Sequence, residues 1–322
     1  MRAVITLLIY LFATSSYAQS HIYNPIAGPV RELQGDRHSN YCALDYSNLL
    51  TCWSAWGEPT AQPPKDLGPV MSVSVGGDVS CAIRMDNSVI CWGEPNTYEG
   101  MVFLPEQLQF ARSISIQDNK GCGIALDGAA YCWNTHDWGD EDEGHEFESH
   151  VHQLPQHYDG FDTIHVTING ACMTSFDGRA DCWNERLYQF HMVPPKSQVK
   201  KISIDDWATG CALMKSGKIE CFGSNYDGTF DPDGKVEPVP KDLGHAKDLA
   251  LGRVNACAIS EQGFIMCWSM CAKKTCFYDG VSTPPREKAQ EISIGIENGC
   301  AVMEDRTVTC WETPEDKKAL LR

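Results

Sequence analysis

Ser113-Ile-Ser-Ile116, a short polar turn, then Cys122-Gly-Ile-Ala-Leu-Asp127-Gly128-Ala-Ala-Tyr-Cys132-Trp133 is the stretch that decides the fold. Ser-Ile-Ser-Ile alternates polar and apolar residues, the period-two pattern of a half-buried strand. The two cysteines stand ten residues apart and flank Asp127-Gly128, a hairpin signal. Pairing Cys122 with Cys132 leaves a three-residue loop, 126 to 128, and such a loop ends in a left-handed residue that favours Gly or Asn. In that register the cysteines oppose each other as a non-hydrogen-bonded pair with Cα atoms about 4.5 Å apart. A disulfide fits that separation.

The unit recurs seven times. Cysteines pair as Cys42/Cys52, Cys81/Cys91, Cys122/Cys132, Cys172/Cys182, Cys211/Cys221, Cys257/Cys267 and Cys300/Cys310. An aromatic follows each second cysteine: Trp53, Trp92, Trp133, Trp183, Phe222, Trp268 and Trp311. The left-handed loop position holds Asn48, Asn87, Gly128, Gly178, Gly217, Gly263 and Arg306, so only Arg306 departs from the rule and would be strained there. The alternating strand returns as Ser72-Val-Ser-Val75, Ile202-Ser-Ile204 and Ile292-Ser-Ile294. A unit of roughly forty residues with room for four short strands is the signature of a propeller blade. The chain is therefore expected to be an all-β, seven-bladed β-propeller with one disulfide-bridged hairpin per blade. The fixed place of the aromatics beside the cysteines points to packing between blades.

The flanks and composition set the compartment. Residues 1–18 read as a signal peptide: Arg2, an apolar run from Val4 to Phe12, and Ser16-Tyr17-Ala18 before the cleavage point. Residues 19–322 are then expected to form a single propeller domain. After Trp311 only eleven residues remain, too few for a good last strand, whereas the N-terminal side has a spare proline-bearing segment. Pro25 to Val30 is expected to complete the last blade. Sixteen cysteines in such a chain argue for disulfides and a secreted, extracellular or periplasmic, location. Zinc is disfavoured, because its cysteines usually come in short Cys-x-x-Cys spacings. Cys271 and Cys276 fall outside the repeat and are expected to staple an accessory loop. A formal charge of -17 argues against nucleic acid, whose phosphates need basic surfaces. No run approaches the roughly 20 apolar residues of a membrane span. A monomer is expected.

The repeat resembles the regulator-of-chromosome-condensation family in its secreted, cysteine-paired form, Cys-Ala-x-x-x-Asp-Gly-x-x-x-Cys-Trp-Gly. Cys81-Ala82 with Cys91-Trp92-Gly93, and Cys122 through Asp127-Gly128 to Cys132-Trp133, carry the likeness, which extends over nearly all of residues 25 to 312. It implies the seven-bladed propeller, as in the ectodomains of plant crinkly-type receptor kinases. The Gly-Gln-Leu-Gly segment common in the family is absent and the loops after the aromatics diverge, so the scaffold carries over and a particular activity does not. Nucleotide exchange on a small GTPase is disfavoured by the signal peptide and the disulfides.

No Gly-x-Ser-x-Gly, His-Glu-x-x-His or phosphate-binding glycine loop is present, so no catalytic residue is assigned. The longest interval between repeats holds His136-Asp-Trp138-Gly-Asp140-Glu141-Asp142-Glu143, where four adjacent carboxylates offer calcium-type ligands. A solvated acidic loop is the simpler reading. No cofactor is expected beyond that calcium site. Trp56, Trp138 and Trp207 break the repeat pattern and are candidates for exposed partner contacts, with Tyr98, Tyr226 and Tyr278 in the variable loops. The leading expectation is a rigid scaffold that binds another protein through variable loops. The alternatives are a glycan- or metal-binding surface protein, and a hydrolase or lyase with residues gathered across blades.

Overall fold

Seven antiparallel sheets follow one another along the chain, each centred on one cysteine hairpin. The computed structural model describes residues 22–312 apart from 27, 37, 56–61, 78, 94–103, 119, 135–150, 155–159, 168–169, 185–194, 196–197, 206–208, 224–238, 253–254, 271–282 and 297. In the third blade an inner strand, Ala111–Gln117, pairs with a second strand, Lys120–Ala125. The second strand pairs with a third, Ala130–Asn134, and a fourth, Val151–Gln153, lies outermost. The other blades repeat the first three strands, and the inner strands meet in sequence around the ring, the seventh (Ala289–Ile294) packing against the first (Val30–Gly35). The result is the expected all-β, seven-bladed propeller.

The hairpins form in the expected register, and a disulfide joins each of the seven repeat pairs: Cys42–Cys52, Cys81–Cys91, Cys122–Cys132, Cys172–Cys182, Cys211–Cys221, Cys257–Cys267 and Cys300–Cys310. Their Cα atoms are 3.9 to 4.1 Å apart, somewhat closer than an unlinked non-hydrogen-bonded pair. The first cysteine of each pair is on the blade's middle strand and is buried, while the second is on the third strand. There Cys52, Cys132, Cys182 and Cys310 are buried, and Cys91, Cys221 and Cys267 are half-buried.

The loop position after the turn is left-handed every time, with φ of 62° at Asn48, 67° at Asn87, 97° at Gly128 and 71° at Arg306. These residues do more than reverse the chain. The carbonyl of Asn48 accepts the backbone N–H of Val70, and that of Asn87 the N–H of Ala111, each the first residue of the next inner strand. Gly178, Gly217, Gly263 and Arg306 make the same bond to Val199, Ala246, Ala289 and Val30. A left-handed turn thus aims a carbonyl at the neighbouring blade, which ties local hairpin geometry to assembly of the ring.

The apolar core is divided into seven parts, one per seam. Cys81 of the second blade packs with Ile114, Ile116 and Trp133 of the third; Cys257 of the sixth packs with Ile292, Ile294 and Trp311 of the seventh. The repeat aromatics therefore cement blades together, as their fixed position implied. Space for the ring comes from a small residue directly opposite: Gly121 pairs with Trp133, and a Cβ there would lie 2.3 Å from the indole. In the first blade that place is taken by Tyr41, which stacks on Trp53 with ring centroids 5.8 Å apart.

Closure differs in detail from expectation. The segment that pairs with the last blade's third strand is Ile22–Tyr23, with Ile22 opposite Trp311 and Tyr23 opposite Cys310. Pro25 and Pro29 are not in the sheet, and Val30 opens the first blade's inner strand. Proline has no N–H for a ladder, which places the pairing before Pro25.

Candidate functional site

The candidate site is the face that carries the seven hairpin turns, with the mouth of the central channel in its middle. Inner strands begin at this face, and six of the seven start with a register shift. The extra residues are Arg31, Met71, Arg112, Lys200, Lys247 and Gln290. A bulge redirects a side chain without interrupting the strand. Here it places long and mostly cationic side chains around the opening.

One step inside, the matching positions hold Glu32, Ser72, Ser113, Thr163, Lys201, Asp248 and Glu291. The next step holds Gln34, Ser74, Ser115, His165, Ser203, Ala250 and Ser293. Inner strands have one edge without a partner strand, and unpaired N–H groups are costly where water is excluded. Six of these side chains satisfy such groups, Ser113 among them by accepting the N–H of Ile164 at 3.2 Å. Ser74 accepts the N–H of Ile116 at 2.9 Å, Ser115 that of Val166 at 3.0 Å, and Ser203 that of Leu251 at 2.9 Å. Asp248 does the same for Ile292 at 2.9 Å and Glu291 for Leu33 at 3.2 Å. At Ser74, Ser113, Ser115 and Ser203 the polar half of the alternating strand thus latches onto the next blade.

The polar and charged sector lies on blades four to seven and one. The Lys201 ammonium donates to Asp248 at 2.7 Å. Burial pushes the Glu291 carboxyl up to about 7; Lys201 opposes that rise, while Asp248 and Glu32 add to it. Burial raises the Glu32 carboxyl as well, against the nearby Arg31 guanidinium. His165 is pushed down to about 4 by enclosure and by the Lys201 charge, so its imidazole is neutral at pH 7. This sector lines a cavity of about 540 Å³ at the mouth, and the channel below holds about 370 Å³. It can accept and donate hydrogen bonds over a broad surface. Among the described residues no group of three or more His, Cys, Asp or Glu is placed to hold a metal ion.

The hairpin tips divide the ring differently, blades one to four against five to seven. The first position of the hairpin loop holds Tyr46, Met85, Leu126 and Phe176, and all four are exposed, Phe176 to 92%. Leu49 and Phe110 add two more exposed apolar side chains beside them. In blades five to seven the same position holds Lys215, Glu261 and Glu304. These four tip residues were legible once the repeats were aligned, since each stands four residues after a first cysteine. The bulge residues were not, because the register shift shows only when the inner strand is paired.

Trp56, Trp138 and Trp207, the carboxylates Asp140, Glu141, Asp142 and Glu143, the tyrosines Tyr98, Tyr226 and Tyr278, and the Cys271/Cys276 pair all fall outside the described residues, as does the signal segment 1–18. The fourteen repeat cysteines are all in disulfides, and none lines the mouth or the channel. They belong to the apolar seams instead. Cys52 packs with Leu67 and Trp92, Cys182 with Ile202 and Phe222, Cys221 against Leu249 and Trp268, and Cys267 against Ile292 and Trp311. Their part in the site is indirect: they hold the hairpins whose tips form it. No helix among the described residues is long and apolar enough to cross a membrane.

No family model matches the sequence, and no curated protein matches it. Solved structures do match in shape. The CRINKLY WD40 ectodomain of the Arabidopsis thaliana receptor kinase ACR4 superposes with a TM-score of 0.62 at 16% identity, over 89% of this chain and 97% of that one. The ectodomain of the Physcomitrella patens receptor kinase CR4 gives 0.61 at 16% identity, over 89% and 74%. Yeast RCC1 (Prp20), solved bound to Kap60, gives 0.54 at 15% identity, over 80% and 73%. At these identities the likeness is one of fold: a propeller shared with receptor ectodomains and with yeast RCC1.

Proposed function

We propose that the protein is a secreted propeller scaffold whose function is to bind another protein. One observation carries the reading. Of the eight exposed large hydrophobic side chains among the described residues, seven (all but Ile22) sit on the hairpin face. A concentration of exposed apolar groups on one face of an otherwise polar molecule marks an interaction surface. The scaffold suits the role, because cross-linked tips lose little freedom on association and so lower its cost. Similarly shaped propellers serve as receptor ectodomains and, in yeast RCC1, are found in complex with a protein. The reading puts the partner on the hairpin face, whereas the sequence alone directed attention to the variable loops.

The test is site-specific crosslinking. A photoreactive side chain replaces Leu126 on one sample and Lys218 on another, and each oxidised protein is irradiated in its native extracellular or envelope fraction. A saturable adduct at position 126, competed by unlabelled protein, is the expected result. Turnover of a small substrate in the same fraction with no adduct at either position would sink the reading.

A further inference from the structure

We infer that the hairpin tips of blades one to four form the docking surface and that the partner presents a cationic segment studded with apolar side chains. The inference rests on the protein-binding reading and assigns its place and its chemistry.

The apolar part is an arc. Tyr46, Met85, Leu126 and Phe176 are 55%, 55%, 51% and 92% exposed and occupy one equivalent position in four consecutive blades. Chance scatter of surface hydrophobics needs no explanation, but a run at one repeat position that stops where charged residues begin is a patterned surface. Each tip is held by its own disulfide and a left-handed turn, and at Asn48, Asn87 and Gly178 the turn is bonded to the next blade. The anchors therefore sit at fixed spacing.

The charge part lies beside the anchors. Asp45 adjoins Tyr46, Asp86 adjoins Met85, and Asp127 adjoins Leu126. In each aspartate Oδ1 accepts backbone N–H groups of the turn, as Asp86 does from Ser88 at 2.9 Å and Asp127 from Ala129 at 2.9 Å. The other oxygen, Oδ2, has no hydrogen-bond partner among the described residues, and no ion pair there involves these three aspartates. Asp86 is held below the usual carboxylate range by the Ser88 hydroxyl and N–H, so it stays ionised well into acid. The arginines of blades two to four are engaged, Arg84 also lending its charge to Asp86, while Arg306 of the seventh blade lies 5.8 Å from the Tyr46 ring and Lys215 of the fifth donates to the Phe176 carbonyl. Arg84 donates to the Leu67 carbonyl, Arg112 to the Ala125 carbonyl with Asp162 3.9 Å away, and Arg179 to Asp177. The arc therefore presents apolar anchors, three of them next to a carboxylate with an oxygen to spare. A lysine or arginine beside an apolar side chain is the matching unit. A second copy of this chain is a poor occupant, since two molecules of formal charge -17 repel.

The test uses the oxidised full chain and two synthetic peptides with identical leucine and phenylalanine positions. One has lysine at every polar position and the other glutamate. Titration at low salt, followed by fluorescence anisotropy, should show the lysine peptide binding at least tenfold tighter. Added salt should weaken it. Asp45→Asn/Asp86→Asn/Asp127→Asn should cut the preference at least threefold, and Met85→Ser/Leu126→Ser/Phe176→Ser should abolish binding. Glu261→Ser/Glu304→Ser, on the opposite arc, should change neither, and all variants are checked for unaltered melting. Equal or tighter binding of the glutamate peptide overturns the cationic partner, and if Phe176 is still required the protein-binding reading survives. Binding that ignores the serine substitutions overturns the placement. Failure of both peptides overturns the inference while the crosslinking result decides the broader reading. Flotation with phosphatidylcholine vesicles that depends on Phe176 would assign the arc to a lipid surface and overturn it too.

Discussion

The carbonyl oxygen of Arg306, in the last blade's hairpin, accepts the backbone N–H of Val30, the first residue of the first blade, at 2.8 Å. The bond is the ring-closing member of a series made at five other seams by Asn and Gly. It explains why a residue ill suited to the left-handed region occupies it at φ 71°. Nothing but the turn conformation points that carbonyl at the next blade. Arg306→Gly should keep the bond and remove a left-handed penalty of roughly 1 kcal/mol, raising stability in urea by up to that amount. Arg306→Val, branched at Cβ, should lower it. A Gly variant less stable than the parent would show that the contact of the guanidinium with the Tyr46 ring, 5.8 Å away, outweighs the strain.

Glu291 gives the seventh seam a pH dependence. Its carboxyl is raised from the ordinary value to about 7 by burial. A carboxyl with a raised folded pKa contributes stability that is complete below its unfolded pKa and is lost as pH rises through the folded one. The window here runs from about 4.5 to about 7. Glu291→Gln retains an oxygen for the Leu33 N–H and removes the titration. Melting temperatures of parent and variant should agree near pH 4.5 and separate by pH 8, with the variant higher. Parallel curves across that range would refute the assignment.

Ser74→Ala should destabilise by about 1 to 3 kcal/mol, the cost of leaving the Ile116 N–H unsatisfied where the serine hydroxyl now accepts it. Ser74→Thr, which keeps a hydroxyl, should recover part of the loss. Chemical denaturation with hydrogen exchange at Ile116 separates a local opening from a global one.

Gly121→Ala places a methyl 2.3 Å from the Trp133 ring, whose indole is almost fully buried. The ring must move, and overpacking of this kind costs about 1 to 3 kcal/mol. A shifted Trp133 signal in near-ultraviolet circular dichroism should accompany the loss. Ala171→Gly, at the equivalent place in the fourth blade, should leave its aromatic in position.

Cys257→Ser/Cys267→Ser opens a hairpin whose cysteines are ten residues apart. The chain-entropy argument gives about 2 to 3 kcal/mol for a loop of that size. The variant should lose that much against urea, and complete reduction of the parent should lose far more. A variant as stable as the parent would mean the hairpin is already closed in the unfolded chain.

What depends on near neighbours could be read from the chain alone. Cysteine spacing, the Asp-Gly turn and the alternation of Ser and Ile act within about ten residues, so one repeat specifies its own hairpin, and seven copies specify the propeller. The pairing of Cys182 with Cys172 or Cys221 with Cys211 was legible for that reason, and so was the packing role of Trp133, whose place relative to Cys132 never varies. Everything that lies between blades came from the assembled ring. Lys201 meets Asp248 across 47 residues, and Glu291 meets Leu33 across 258. A bulge shifts the phase of six inner strands, so alternation alone could not say that Arg31 or Lys200 faces the mouth. The closing strand fell on Ile22–Tyr23 because Pro25 and Pro29 lack the N–H that a ladder requires. Whether Tyr46, Met85, Leu126 and Phe176 form one surface depended on the ring bringing four distant hairpins to the same face. Local chemistry specifies a blade; only the closed ring specifies which side chains stand together.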